Sequence, residues 1–357
     1  NPAVSTYRME LSSPHLPAPT DGGSIELGSD AHAFAAQVIR DIDKTIANRV
    51  SDETVRSFGL ILRDKMPEVL FTLLEHVWKT VNGPDVPAED RRVPDVLLLT
   101  DDWMVPWELL MVDLDPDRPQ FLGAQVNLGR WPLEHLDKLA GTPLGLEGLG
   151  IMIGYYKDAR GVAPLQRAEE EGAVLVETYE ARAVNADHEA FDQLLAGQLD
   201  DGFAFQALHF AGHGQSDPDK GTYLMYSDGA QMSVMPFRSA RIAADNDAFL
   251  FVNACQVGTA AEVLGEYAGL AGLAIAGGFR GFVAPLWSVA DDLAQSISLG
   301  MYEASTQGTP IAAYLRDVRA RFRQTEGSVA HTTYIAYTYY GHPRLVLGGP
   351  KTREVTP

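Results

Sequence analysis

The sequence predicts an α/β fold: a mostly parallel central sheet covered by helices on both faces and preceded by a helical segment. Three observations carry this. From residue 95 onward, short apolar runs alternate with helical stretches, the pattern of strands buried on both sides. Ahead of that region the apolar residues recur at helical spacing. Between the two parts lies a connector with Gly83, Pro84, Pro87 and Pro94 among acids and arginines.

Taken in order, residues 1–30 are rich in Pro, Ser and Gly and are expected to form an irregular arm. Phe34, Val38, Ile42 and Ile46 predict an amphipathic helix over 30–49. Ser51 is placed to cap the next helix, with Asp52 and Glu53 in its first turn. Pro67 opens a further helix through Val69, Leu73, Val77 and Trp78. Residues 31–90 thus read as a helical segment and 95–348 as the α/β domain. Within that domain, strands are expected at Val96–Leu99, Leu149–Ile153, Ala204–Phe210, Ala248–Val252, Leu270–Ala276 and Gly281–Leu286. Arg344–Leu347 is expected as an edge strand. The helices between them are expected over 164–179, 188–197, 258–268, 291–305 and 309–324.

Composition narrows the function. A formal net charge of -20 repels phosphate backbones and argues against a direct nucleic-acid partner. The basic run Arg316, Arg319, Arg321 and Arg323 reads as a solvated helix face. No apolar run of about 18 residues occurs, so no membrane span is expected. The start, Asn1-Pro2-Ala3, carries no secretion-signal pattern and reads as lying inside a longer chain. Cys255 is the only cysteine. It excludes an intrachain disulfide framework or a multi-thiolate metal site; the chemistry expected of this thiol needs no metal or cofactor. A reducing, cytoplasmic setting fits.

Two motifs carry chemistry. Ala207-Leu208-His209-Phe210-Ala211-Gly212-His213-Gly214 reads as a strand that delivers His213 to a loop at its carboxyl end. Phe249-Leu250-Phe251-Val252-Asn253-Ala254-Cys255-Gln256-Val257-Gly258 repeats the arrangement with a thiol. If the two strands are neighbours, Cys255 and His213 meet at one edge of the sheet. A thiol nucleophile needs this, because the thiolate attacks and a nearby imidazole helps form it. His213 precedes Cys255 by 42 residues, the caspase-type order rather than the papain one. His209 reads as a buried structural histidine, with Gly212 expected to break the strand before His213. Residues 215–222 are expected to form a flexible loop beside the site, and Trp103, Trp107 and Trp131 core or interface aromatics. Asp113-Leu114-Asp115-Pro116-Asp117 lacks the glycine of a calcium loop.

On these two motifs the chain resembles the CHAT family of bacterial caspase-like peptidases. Pro106-Trp107-Glu108-Leu109-Leu110, Glu169-Glu170-Glu171, Leu286-Trp287-Ser288-Val289-Ala290-Asp291-Asp292 and Tyr340-Gly341-His342-Pro343-Arg344 extend the likeness, with His342 where an acid is usual. The resemblance implies a caspase-like three-layer sandwich over 95–348. It implies Cys255 as nucleophile, His213 as general base, and an oxyanion hole formed by the amides of Gly214 and Cys255. It also places Asn253 and Asp291 in the substrate pocket, where an acid would pair with a basic P1 side chain. For Asp291 a second reading stays open: it begins a helix and complements the dipole. The family further implies a protein substrate, such as a gasdermin-like protein or another effector, and activation by a partner or sensor domain in bacterial defence or regulated cell death. The helical front segment is open between a docking surface, a sensor fragment and a cap on the fold. A non-catalytic adaptor and an acyl-transferring enzyme remain the alternatives.

Overall fold

The structure is a computed structural model. It describes residues 6–27, 35, 37–39, 41–42, 52–100, 105–139, 143–154, 164–198, 203, 205–217, 221–255, 264–323 and 332–348. The segment expected to be an irregular arm instead holds a two-stranded antiparallel hairpin, β1 (Thr6–Leu11) and β2 (Thr20–Glu26), with its register shifted between Met9 and Glu10. Of the helix expected over 30–49, the described residues are helical, and Ala35, Val38, Ile39 and Ile42 are buried. Helices α1 (Asp52–Lys65) and α2 (Glu68–Val81) follow, the latter starting directly after Pro67.

The α/β domain is built on one sheet of ten strands. These are β3 (Asp95–Leu99), β4 (Asn127–Trp131), β6 (Leu149–Ile153), β7 (Arg182–Asn185), β8 (Ala207–Asp217), β9 (Gly221–Met225), β10 (Gln231–Ser233), β11 (Phe249–Cys255), β12 (Gly281–Pro285) and β13 (Tyr337–Tyr340). A separate two-residue ladder joins β5 (Leu144–Gly145) to β14 (Leu347–Gly348), which displaces the edge strand expected at Arg344–Leu347. The central strands β7, β6, β8, β11 and β12 run parallel, and β13, β4 and β3 complete one side, with β13 antiparallel to β12. Beyond Ala211 the partner of β8 changes: its far half pairs antiparallel with β9.

Helices form two groups. The first comprises α4 (Gln166–Tyr179), α8 (Asp291–Thr306) and α9 (Ile311–Ala320), which pack on one another. A one-turn helix α3 (Leu122–Gln125) packs against α9. The second group comprises α5 (His188–Leu195), α6 (Arg241–Asn246) and α7 (Leu264–Gly277). Together with the sheet they make a caspase-like layered α/β fold over a contiguous apolar core.

Two expectations fail for identifiable reasons. Leu270–Ala276, expected as a strand, lies in α7: Leu270, Ala271, Ala274 and Ile275 are buried at helical spacing, and a short apolar run does not separate the two periods. The basic run is only partly a solvated face: Arg321, just past α9, is exposed, but the two arginines on α9 are engaged inside the protein. Arg319 is 2 % exposed, and its guanidinium donates to the carbonyls of Gly123 and Tyr337. Arg316 pairs with Asp317 and donates to Asn127. Among the described residues no helix is long and apolar enough to cross a membrane.

Candidate active site

β8 and β11 are the strands that build the site. β11 is a near-continuous apolar run, as is the first half of β8 apart from His209, which suits strands covered on both faces. Their parallel register is regular over seven pairs, from Phe249 with Ala207 to Cys255 with His213. The two motif residues, 42 apart in sequence, therefore sit at the same level on adjacent strands, about 4.8 Å apart in a parallel sheet. Cys255 is the last described residue of β11; Gln256, Val257 and Gly258 lie outside the described residues.

His213 does not follow a broken strand. β8 continues through Gly212 to Asp217, so the loop expected over 215–222 is in fact strand at 215–217 and 221–222, with 218–220 outside the described residues. Continuity places His209, Ala211 and His213 on one face of the sheet. His213 is 2 % exposed. Ala211, two residues before it on the same strand face, joins Leu165 and Ala168 in a small apolar cluster. Gly214 faces Leu224 of β9 in the antiparallel ladder, one residue beyond the His213–Cys255 pair.

Directly below the pair, on the same face, a buried polar network joins both strands to the helices above them. Its hub is Glu171 of α4, 2 % exposed. Asn253, two residues before Cys255, donates through Nδ2 to Glu171 Oε1 and Oε2 at 3.0 and 2.9 Å. Ser298 of α8 donates its hydroxyl to Glu171 Oε1. His209 brings Nε2 to 2.7 Å from the same oxygen, obliquely to the ring N–H, and sets Nδ1 3.2 Å from the Tyr302 hydroxyl. Burial, reinforced by the Glu171 charge, holds the pKa of the Tyr302 phenol well above its usual range. The Tyr337 hydroxyl donates to Asn253 Oδ1 at 2.8 Å, which fixes the orientation of the amide. α4 reaches this depth because Gly172 has no side chain: a Cβ there would lie 2.4 Å from Ile153 Cδ1 of β6.

The structure thus treats the expected pocket residues differently. Asn253 is 5 % exposed, and both ends of its amide are engaged inside the protein. Asp291 is half-buried at the first position of α8, and its carboxylate accepts the backbone N–H of Arg167 in the first turn of α4. Burial raises the pKa of Asp291, the amide of Arg167 opposes that, and the nearby Glu171 charge adds to the rise. His209 is fully buried, as expected, and sits on the same face as His213. Sequence reasoning missed Glu171 as a hub. Its signal was a lone acid on the buried stripe of α4 formed by Ala168, Glu171, Gly172 and Leu175.

A second buried cluster lies at the far side of the sheet. Glu108, from the Pro106–Leu110 motif, pairs with Arg130 of β4 and accepts from the Thr338 hydroxyl at 3.0 Å. Arg319 stands 3.9 Å from the same carboxylate. Burial lowers the Arg319 guanidinium to about 10, with Glu108 opposing and Arg130 adding to the shift. Trp131 is fully buried and Trp107 nearly so; Trp103 lies outside the described residues. Asp115 binds no ion-like cage; it pairs with Arg91 at 2.7 Å. Among the described residues no cluster of acids, histidines and cysteine could hold a metal ion.

Comparison with known proteins agrees with this architecture. The CHAT domain family matches residues 72–343. No curated protein matches the chain. Among solved structures, one described as a protease shares 10 % identity over 89 % of this chain and 75 % of its own, at a TM-score of 0.51. The RgpB pro- and mature-domain complex of Porphyromonas gingivalis shares 12 % identity over 89 % of this chain and 77 % of that chain, at 0.45. The separase–securin complex of Saccharomyces cerevisiae shares 12 % identity over 88 % of this chain but only 23 % of that chain, at 0.46. Likeness at such identity speaks of fold alone. The match across most of the sequence, on a sheet of this topology, shows that the chain belongs to the CHAT domain family.

Proposed function

We propose that the chain is a caspase-like cysteine endopeptidase, with Cys255 as nucleophile and His213 as its base. One observation carries this reading: the parallel ladder of β8 and β11 sets Cys255 opposite His213 at the carboxyl end of the sheet. The imidazole takes the thiol proton, and the thiolate attacks the scissile carbonyl. The amides of Gly214 and Cys255, one residue apart across the ladder, are the donors for the developing oxyanion. His213 then protonates the leaving amine, and water hydrolyses the thioester. This chemistry calls for no cofactor.

The substrate is a protein cleaved after a basic P1 residue. Asp291 supports this: it is half-buried, carries a neighbouring acid in Asp292, and stands near the Glu171 hub. A carboxylate in such a setting pairs with Arg or Lys. Activation by a partner or sensor domain, a role in bacterial defence or regulated cell death, and a cytoplasmic site of action complete the reading, supported by family membership. Turnover of a peptide library, with Cys255→Ala as control, tests it. Cleavage after Arg or Lys that vanishes in the variant supports the proposal; an inert wild-type chain, also in the presence of candidate activators, points to a scaffold instead.

A further inference from the structure

The buried polar network below the dyad does more than fill the core. We infer that Glu171 is a positioning residue for catalysis: its carboxylate ties the strand of the base to the strand of the nucleophile and holds their register. This rests on the peptidase reading of Cys255 and His213, and deepens it.

Three observations carry the inference. The carboxylate contacts both site strands at once, His209 of β8 at 2.7 Å and Asn253 of β11 at 2.9 and 3.0 Å. Those contacts lie four residues before His213 and two before Cys255, on strands paired in register. The hub is braced from outside by Ser298 and, through His209 and Asn253, by Tyr302 and Tyr337, so α8 and β13 fix it too. Hydrogen bonding along the network has a consistent direction. Asn253 and Ser298 donate to the carboxylate and Tyr337 donates to Asn253, while the Tyr302 hydroxyl lies 3.2 Å from His209 Nδ1.

A buried carboxylate is a costly way to fill space, and an apolar side chain of similar volume would often stabilise as well or better. Its value here is orientation. It couples two backbones whose reactive residues must meet to within a fraction of an ångström, where a displacement of about 1 Å costs about a hundredfold in rate. Asn253 acts on the nucleophile through this contact rather than through substrate, and His209 does the same for the base strand.

The test compares wild type with Glu171→Gln, which keeps the shape but removes the charge, and with the milder Ser298→Ala, which removes one donor to the hub. Two quantities are read: kcat and KM per titrated active site on a basic-P1 peptide, and the pH profile of Cys255 alkylation by iodoacetamide. A positioning role predicts kcat lower by about 10- to 100-fold in Glu171→Gln with KM changed little, and a smaller drop in Ser298→Ala. It also predicts that the alkylation profile moves toward that of an ordinary thiol near 8.5. A purely structural role lowers only the active fraction and the melting temperature. Unchanged per-site kcat and alkylation profiles in both variants would overturn the positioning role while leaving the dyad intact. A wild-type profile indifferent to His213→Ala would instead remove the peptidase reading, and this inference with it.

Discussion

At the scale of the residue, reactivity depends on what surrounds two side chains. His213→Ala is expected to lower per-site turnover by at least about a thousandfold while the chain stays folded, as measured by peptide cleavage beside a thermal scan. Asp291 gives a pH signature. Burial holds its pKa above the usual carboxylate value. The folded chain therefore binds that proton more tightly than the unfolded one, and stability from this group is lost as pH rises through the unfolded and then the folded value. Asp291→Asn should accordingly be more stable relative to wild type at pH 7 than at pH 3 in paired melting curves. If the carboxylate also receives a basic P1 side chain, the same variant loses the preference for Arg and Lys, and the acid limb of kcat/KM for such peptides lies above the ordinary carboxylate range. The motifs around Cys255 and His213 stand out in sequence because each is an apolar run leading into one chemistry-bearing side chain, although β8 runs on past His213 to Asp217. Glu171 was not legible as a hub: an acid on a buried helix stripe acquires meaning only when Asn253 and His209, remote in sequence, are found against it.

At the scale of the element, α4 and the sheet meet where glycine permits. Gly129 of β4 makes the same point at the far side, since a Cβ there would lie 2.2 Å from the Gly341 carbonyl oxygen. Gly129→Ala is expected to cost about 1–3 kcal/mol in denaturant unfolding, because backbone atoms cannot give way as a flexible side chain does. The Glu108 cluster is more sensitive. Two buried arginines share one carboxylate, so Glu108→Gln leaves both charges without it, with an expected loss of about 3–5 kcal/mol. Why some elements were read correctly and others not follows the same physics. β6, β12, α4 and α8 announce themselves through clean apolar runs or clear helical periods. β4 and β13 do not, since Arg130, Thr338, Tyr337 and Tyr340 are buried by pairing with partners distant in the chain. α7 misled because alanine, leucine and isoleucine in a short window satisfy both periods.

At the scale of the whole molecule, a ten-stranded sheet brings residues from β6, β8 and β11 to one edge and braces them with α4 and α8. The helical segment packs onto this domain: Gly59 of α1 sits so close to the Pro106–Leu110 motif that a Cβ there would lie 2.4 Å from the Leu109 carbonyl oxygen. Gly59→Ala should therefore loosen the segment and raise proteolytic sensitivity over residues 52–81, as limited digestion with mass spectrometry would show. The proposed function comes down to one event, the approach of the Cys255 sulfur to the His213 imidazole. The most direct test is covalent capture: treat the chain with a peptidyl acyloxymethyl ketone bearing P1 Arg and locate the adduct by intact and fragment mass spectrometry. A working dyad predicts one adduct, on Cys255, formed quickly in wild type and lost in His213→Ala. Equal labelling of Cys255 in both proteins, or no adduct in folded wild type under activating conditions, would contradict it.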